Sequence, residues 1–257
     1  MRAVIVARGL SVARGSRVVV QAEELDIGPG VTALVGPNGS GKSTLLHAIA
    51  GLLPPAGGTL RVLDAEPAEV RTSVAYVIQS QHAPAHLPVT VTEIVTLGRA
   101  AARGPFRRWR PEDRRLVDDA LERLELGALA DSHFGDLSGG QRQRTFVAQG
   151  LAQAAEVLLL DEPTAGLDLA SNQRIRHVLH EERAAGRTIV IATHDLAEAA
   201  STDHVVLLAG SIVAAGRPAD VLVRRNLDVA YHGRLLDLDG ELVLVDDGAH
   251  HHARGER

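Results

Sequence analysis

Short apolar runs bounded by turn-prone residues recur along this 257-residue chain. The runs at residues 4–6 and 18–20 lie on either side of Arg14-Gly15-Ser16 and predict a hairpin of two strands. Helical patterns precede two of the later runs, and this alternation is typical of a parallel α/β sheet. The later strands are predicted at residues 31–35, 157–160, 188–192 and 205–208.

The middle of the chain, residues 79–154, has a different pattern. It contains helical periodicity at residues 112–126 and 141–154 and no clear strand, which predicts an inserted helical lobe. We therefore expect one α/β domain over residues 1–225 with this lobe inserted. Residues 226–257 form a short extension in which the run at 241–245 predicts a strand before a polar, histidine-containing tail.

Lys42 is the only lysine among the 27 basic residues. It ends the segment Gly-Pro-Asn-Gly-Ser-Gly-Lys at residues 36–42 and is followed by Ser43, which completes the pattern G-x-x-x-x-G-K-[ST]. A compact ammonium fits between phosphate groups, whereas a planar guanidinium does not. An apolar strand precedes the segment and a helical pattern follows it, so backbone N–H groups there face an anion. We predict a nucleotide phosphate site with Ser43 placed to ligate Mg²⁺.

Two acids end the buried strand predicted at residues 157–160. Ligands of open α/β sheets collect at the carboxyl ends of the strands, so Asp161 and Glu162 should lie beside the phosphate segment. Asp161 suits an interaction with Mg²⁺, directly or through water, and Glu162 is one residue nearer a water that attacks the γ-phosphate. Leu137-Ser138-Gly139-Gly140-Gln141 precedes another helical pattern and can leave backbone amides free at a helix N-terminus.

Composition limits the classes of partner. A hydrophobic content of 45% supports one substantial core, and a net charge of −5 gives no global reason to bind nucleic acid or an anionic membrane. The absence of cysteine excludes disulfides and thiolate metal sites. No apolar segment approaches the ~18 to 20 residues of a membrane span. We therefore expect a cytoplasmic protein.

The motifs together resemble those of ATP-binding cassette (ABC) ATPases. The phosphate segment, residues 137–141, residues 157–162, residues 165–168 and His194 occur in that family's order and approximate spacing. Gln79, after the apolar run at 74–78, matches the family's glutamine loop. The resemblance covers residues 1–225. It implies the fold class: a P-loop NTPase core with an N-terminal antiparallel β subdomain and an inserted helical subdomain.

The resemblance also implies the catalytic roles. Ser43 and Gln79 would meet Mg²⁺ beside Asp161. Glu162 would activate water, and His194 would hold the γ-phosphate and the catalytic geometry. These roles also agree with the chemistry of phosphoryl transfer, which depends mainly on charge neutralisation and positioning.

ATP would be shared between two subunits of a head-to-tail homodimer, as the resemblance implies. One subunit would hold the nucleotide with its phosphate loop, and the partner would close over it with its signature segment. The implied nucleotide-binding residues are Gly36, Pro37, Asn38, Gly39, Ser40, Gly41, Lys42, Ser43 and Thr44 of the loop, Ser138, Gly139, Gly140 and Gln141 of the signature, and Asp168, which would link the two sites.

Arg14 departs from the family pattern. ABC ATPases often place an aromatic residue on the adenine at this point of the first hairpin, and here the matching position is Arg14. A guanidinium plane can stack on a base. A solvated Arg14 is the alternative.

A narrower resemblance is to the ATPase subunits of zinc, manganese and iron importers. It rests on residues 87–91, 97–99, 104–109 and 147–153. It implies a separate membrane permease, an extracytoplasmic substrate-binding protein and a position at the inner face of the cell membrane. An exporter motor and a nucleic-acid- or ribosome-associated ATPase are the alternatives, although no nucleic acid partner is expected. The histidines at 250–252 either bind a transition metal or are incidental.

Overall fold

The computed structural model describes residues 3–78, 88–103 and 108–231, and the backbone of residues 235–238 and 241–244. The strands in these ranges are β1 (Ile5–Arg14), β2 (Arg17–Ile27), β3 (Gly30–Val35), β4 (Gly57–Val62), β5 (Val74–Val77), β6 (Val157–Asp161), β7 (Thr188–Thr193), β8 (His204–Leu208), β9 (Ile212–Gly216), β10 (Leu235–Leu238) and β11 (Glu241–Leu244). The α-helices are α1 (Lys42–Ile49), α2 (Val91–Arg103), α3 (Pro111–Arg123), α4 (Gly139–Ala152), α5 (Leu169–Ala184), α6 (Leu196–Ala200), α7 (Pro218–Val221) and α8 (Arg224–Tyr231).

A six-stranded sheet with the order β5-β6-β7-β3-β8-β9 forms the centre of the fold. The first five strands are parallel, and β9 pairs with β8 in the antiparallel sense. Both faces are covered: Leu158 and Leu160 of β6 pack in one hydrophobic cluster, and Val157 and Leu159 pack in another. This explains the continuous apolar runs of the sequence, since parallel strands buried on both faces need no polar positions. The predictions for β3, β6, β7 and β8 are confirmed.

A three-stranded antiparallel sheet, β2-β1-β4, covers one side of α1. The predicted hairpin exists, but its strands are much longer than the two apolar runs that predicted it. In β1, Ile5 and Ala7 and then Leu10 and Val12 are buried, with the alternation interrupted by two exposed residues between Ala7 and Leu10. β4 was not predicted, because Gly57 and Gly58 at its start weaken the strand signal. The α/β class with an antiparallel β subdomain is confirmed.

Three helices, α2, α3 and α4, lie between β5 and β6 in the chain and share a hydrophobic cluster with the central sheet. A buried carboxylate ties them together: Asp113 of α3 forms ion pairs with Arg99 and Arg103 of α2. The Arg99 guanidinium also donates to the carbonyl oxygens of Ala152 and Gln153 at the end of α4, at 3.2 and 2.9 Å. The domain boundaries predicted at residues 79, 154 and 225 stay predictions.

The C-terminal part contains the short helices α7 and α8 and the hairpin β10-β11. β11 confirms the strand predicted near residues 241–245, whereas the histidines at 250–252 lie outside the described residues. No helix among the described residues combines the length and the apolar character needed to cross a bilayer.

Gly98 provides a test of the packing of the helical layer. A Cβ at this position would lie 2.1 Å from the Gln149 carbonyl oxygen of α4. We expect Gly98→Ala to destabilise the protein by about 1–3 kcal/mol despite the better helix propensity of alanine, because α2 must move away from α4. Urea unfolding measures the change. In the matched control Gly127→Ala the new Cβ meets nothing within 4 Å, and its effect should stay within about 0.5 kcal/mol. Equal effects of the two variants would contradict the close helix contact.

Candidate functional site

The phosphate loop joins β3 to α1, as predicted from residues 36–43. The loop has a left-handed backbone at Gly39 and Gly41, with φ of 80° and 104°. Gly41 precedes α1 and no side chain caps this helix. The amides of the first turn of α1 are therefore available to an anion, which is the arrangement that binds phosphate at helix N-termini.

Two glycines of the loop are required by close packing. A Cβ at Gly36 would lie 1.9 Å from the Leu208 carbonyl oxygen, and one at Gly41 would lie 2.5 Å from a Val20 methyl group. The loop is also fastened from outside, because the Gly210 N–H donates to the Ser40 carbonyl oxygen at 3.0 Å and the Gly210 carbonyl accepts from Gln21 at 2.8 Å. The turn between β8 and β9 thus connects the loop to β2.

Lys42 and Ser40 fit the chemistry of a phosphate ligand. Lys42 is 6% exposed, and its ammonium donates to the carbonyl oxygens of Gly36 and Pro37 at 2.7 and 3.2 Å, which curls the loop around it. Burial lowers the pKa of Lys42, while the nearby charges of Glu162 and Asp161 oppose that shift. Ser40 is 5% exposed, and its hydroxyl has no partner. A buried polar atom without a partner and a buried cation suit an anionic ligand with several acceptor oxygens.

Asp161 and Glu162 emerge at the end of β6, beside the end of β7. Glu162 has a left-handed backbone with φ of 47°, and its N–H donates to the Ala192 carbonyl of β7 at 3.0 Å. Such a conformation is uncommon for a residue with a side chain and is typical of functional sites. The Glu162 carboxylate lies 3.5 Å from Nδ1 of His194, whose side chain is 58% exposed against 21% for Glu162. The structure thus brings the predicted residues Lys42, Asp161, Glu162 and His194 to one edge of the sheet.

Arg14 lies against α1. Its Nε donates to the Thr44 hydroxyl at 3.0 Å, and a terminal nitrogen lies 2.6 Å from Nδ1 of His47, one turn further along the helix. The guanidinium therefore joins β1 to α1 in this structure. Stacking of Arg14 on adenine stays a prediction.

His47 and Tyr76 also lie at this site, although nothing in the sequence predicts a role for them. The Tyr76 hydroxyl donates to the Asp161 carboxylate at 3.1 Å and lies 3.2 Å from Nε2 of His47. Burial, reinforced by Asp161, raises the pKa of Tyr76, so its hydroxyl keeps the proton that it donates. Neither residue belongs to a short motif, and both are separated in sequence from Asp161 by 85 residues or more.

The signature segment begins α4. Ser138 caps the helix: its hydroxyl accepts from the Gln141 N–H at 3.3 Å, and the Gln141 side chain accepts from the Ser138 N–H at 2.8 Å. Gly140 packs against the start of α5, where a Cβ would lie 2.3 Å from the Ser171 hydroxyl and 2.4 Å from the Asp168 carboxylate. Gly139 differs, since a Cβ there would meet nothing within 4 Å. The capping box uses the Ser138 side chain and leaves Gly139 at the surface of the helix N-terminus.

Asp168 caps α5 by accepting from the Ser171 N–H at 2.8 Å, and this hydrogen bond is the main reason that the pKa of Asp168 is lowered. The signature and Asp168 are therefore neighbours within one subunit. Gln79 lies outside the described residues. Within the described part of the chain, no group of three or more His, Asp or Glu side chains is arranged to hold a metal ion alone.

Comparisons with known proteins agree with this geometry. The family model described as ABC transporter matches residues 22–165. The chain is 40% identical over 206 residues to the manganese transport system ATP-binding protein MntA of Synechocystis, covering 79% of each protein. It is 37% identical to the zinc transport system ATP-binding protein TroB of Treponema pallidum, covering 80% of the chain and 77% of TroB. The ADP conformation of MJ1267, an ATP-binding cassette of an ABC transporter, superposes with a TM-score of 0.76 at 26% identity, covering 91% of this chain and 100% of that one.

Removal of the Lys42 ammonium tests the phosphate site. We expect Lys42→Ala to weaken ATP binding about tenfold or more, because a hydrogen bond to a charged group contributes about 1.5–3 kcal/mol. Isothermal titration calorimetry measures the affinity. Lys42→Arg keeps the charge but not the shape, and we expect it to bind ATP poorly as well. Unchanged affinity of Lys42→Ala would contradict the phosphate assignment, and wild-type affinity of Lys42→Arg would contradict the argument from shape.

Proposed function

The chain belongs to the ABC transporter family and is an ATP-binding motor ATPase of that family, and on this premise we propose that it drives import of a divalent transition metal, zinc or manganese, through a separate permease. The observation that carries the choice of metal is the 40% identity to a manganese transport ATP-binding protein across 79% of each chain. The similarity to a zinc transport ATP-binding protein supports the same class of substrate.

In this proposal the phosphate loop of one subunit binds ATP. The free amides at the start of α1 and the Lys42 ammonium would stabilise the negative charge of the phosphates, and the unpartnered Ser40 hydroxyl is available to a phosphate oxygen. Oxygen atoms of Ser43, Asp161 and Gln79 would hold Mg²⁺, which prefers such ligands together with phosphate oxygens. When bound, this ion supplies charge neutralisation at the phosphates.

Glu162 is proposed as the general base. Its carboxylate lies at the strand end next to Asp161 and 3.5 Å from His194, so the two side chains can orient one water and the γ-phosphate. Glu162 has a left-handed backbone, whereas Asp161 is the last residue of the extended strand β6. One acid is then available to the metal and the other to water.

The site is proposed to be completed by a second copy of the chain. Within one subunit, the N-terminus of α4 packs against Asp168 and Ser171 of α5, so Gly140 contacts its own α5. In the head-to-tail homodimer, residues 138–141 would face the nucleotide of the partner with the amides of Gly139 and Gly140, which the capping box does not use, and Asp168 would connect the two sites. Closure of this dimer on ATP is the motor step.

The permease and an extracytoplasmic substrate-binding protein would select the metal, and the ATPase would work at the inner face of the cell membrane. Two large apolar side chains of the helical layer are exposed, Leu97 within α2 and Trp109 just before α3. They support docking of the permease on this layer.

Glu162→Gln tests the chemical step. The amide keeps the shape of the side chain and loses the base, so we expect ATP to bind while kcat falls by about a hundredfold or more. The ATP-bound protein should accumulate as a dimer. Phosphate release and light scattering measure the two effects together. Hydrolysis near the wild-type rate would show that Glu162 is not the base.

Reconstitution tests the substrate. The ATPase is assembled in liposomes with its permease and substrate-binding protein, and both hydrolysis and uptake are measured with zinc, manganese, iron and a sugar control. We expect uptake and stimulated hydrolysis with zinc or manganese only when the binding protein is present. Stimulation only by a non-metal substrate would overturn the metal assignment and leave the ATPase intact. Outward movement of substrate would favour an exporter instead.

A further inference from the structure

A line of four side chains runs behind the phosphate loop. It starts at Arg14 of β1, passes through His47 of α1 and Tyr76 of β5, and ends on Asp161 of β6. The three consecutive contacts are 2.6, 3.2 and 3.1 Å long. Each residue comes from a different element, so the line crosses from the antiparallel sheet through α1 into the central sheet.

The chemistry of the groups fixes the direction of the hydrogen bonds. Arginine only donates, so His47 must accept at Nδ1. Burial, with the positive charge of Arg14 as a smaller cause, lowers the pKa of His47, which keeps the imidazole neutral at pH 7. A neutral ring that accepts at Nδ1 carries its proton on Nε2 and donates it to the Tyr76 oxygen. The Tyr76 hydroxyl then donates a hydrogen bond to the Asp161 carboxylate.

Packing holds the two middle members in place. The rings of His47 and Tyr76 meet edge to face with centroids 5.2 Å apart. Tyr76 lies opposite Leu159 in the parallel pairing of β5 with β6, two residues before Asp161. Arg14 fastens the other end, because its guanidinium also bonds to Thr44 in the first turn of α1. The orientation of Asp161 is thus connected to the same helix that begins at the phosphate loop.

We propose that Tyr76 and His47 are positioning residues of the ATPase, which orient the Asp161 carboxylate toward Mg²⁺ and tie it to α1 through Arg14. The proposal rests on the proposed role of Asp161 as a Mg²⁺ ligand. A carboxylate oxygen engaged by a phenol cannot rotate freely, so its other oxygen has one preferred direction. Tyr76 and His47 act through Asp161 and touch neither substrate nor metal.

Tyr76→Phe removes only the terminal hydroxyl and keeps the aromatic ring. We expect kcat for Mg²⁺-ATP to fall about tenfold, the size expected for one hydrogen bond to a charged group, while KM changes less than about twofold. In calorimetry, ATP affinity without Mg²⁺ should be unchanged, and the gain in affinity on adding Mg²⁺ should shrink. If both kcat and the gain in ATP affinity on adding Mg²⁺ are unaltered, Tyr76 has no positioning role.

Tyr231→Phe is the matched control. Tyr231 is the only other tyrosine of the chain, it is buried on α8, and its hydroxyl has no partner. The Tyr231→Phe variant should have wild-type kcat and a wild-type gain in ATP affinity on adding Mg²⁺. If both tyrosine variants lose activity to the same degree, the effect is one of stability, and the proposal is wrong.

A double-mutant cycle tests the role of His47. His47→Phe keeps a ring against Tyr76 and removes both nitrogen atoms, so kcat should fall by less than in Tyr76→Phe. In the Tyr76→Phe background the same substitution should have little further effect, because His47 acts through the lost hydroxyl. Additive losses would overturn the connection from His47 to Asp161.

Asp161→Asn separates this inference from the proposed function. The positioning inference alone would be overturned if ATP affinity no longer depends on Mg²⁺ in Asp161→Asn while Tyr76→Phe behaves like the wild type. Wild-type Mg²⁺ dependence of Asp161→Asn would overturn the proposed metal site and the inference with it. Reduced Mg²⁺ response in both variants, with normal Tyr231→Phe, supports the proposal.

Discussion

The parallel pairing of β3, β7 and β6 is the constraint on which the site depends. Val35 pairs with Thr193, and Asp161 pairs with Ala192, so the three strands end at the same level of the sheet. Because all three run in one direction, the loop before α1, the acids after β6 and His194 after β7 meet at one edge. A shift of this register by one residue would turn the buried side chains to the other face and separate these groups. Burial at this edge lowers the pKa of Lys42, and the charges of Glu162 and Asp161 beside it oppose that shift.

The same register explains why part of the fold was predictable. Strands buried on both faces give continuous apolar runs, and the phosphate loop gives a motif of fixed spacing, so β3, β6, β7, β8 and the loop follow from the sequence. β4 begins with two glycines and did not stand out. His47 and Tyr76 carry no local signal, because their significance comes from side-chain contacts between elements distant in the chain. The contacts of Arg14 with Thr44 and His47 are of the same kind.

α4 connects the signature segment to the central sheet. Its N-terminus carries the signature residues, and just after its C-terminus the Gln153 side chain donates to the Val74 carbonyl at the start of β5, at 3.0 Å. Arg99 of α2 bonds to the Gln153 carbonyl, and Gly98 allows α2 to approach α4 closely. β5 leads in turn toward Gln79 and carries Tyr76, which contacts Asp161. A displacement of the helical layer is therefore connected through packed and hydrogen-bonded groups to the acids at the sheet edge.

In the proposed homodimer, each nucleotide site uses the sheet edge of one chain and the signature of another. The most direct measurement mixes two inactive variants before ATP is added: Glu162→Gln, and Gly139→Asp, whose new side chain faces open space in its own subunit and would repel the partner's phosphates. A mixed dimer regains one site with an intact Glu162 and an intact signature. We expect ATP hydrolysis by the mixture well above the sum of the two variants measured separately. A mixture no more active than that sum would contradict the shared site.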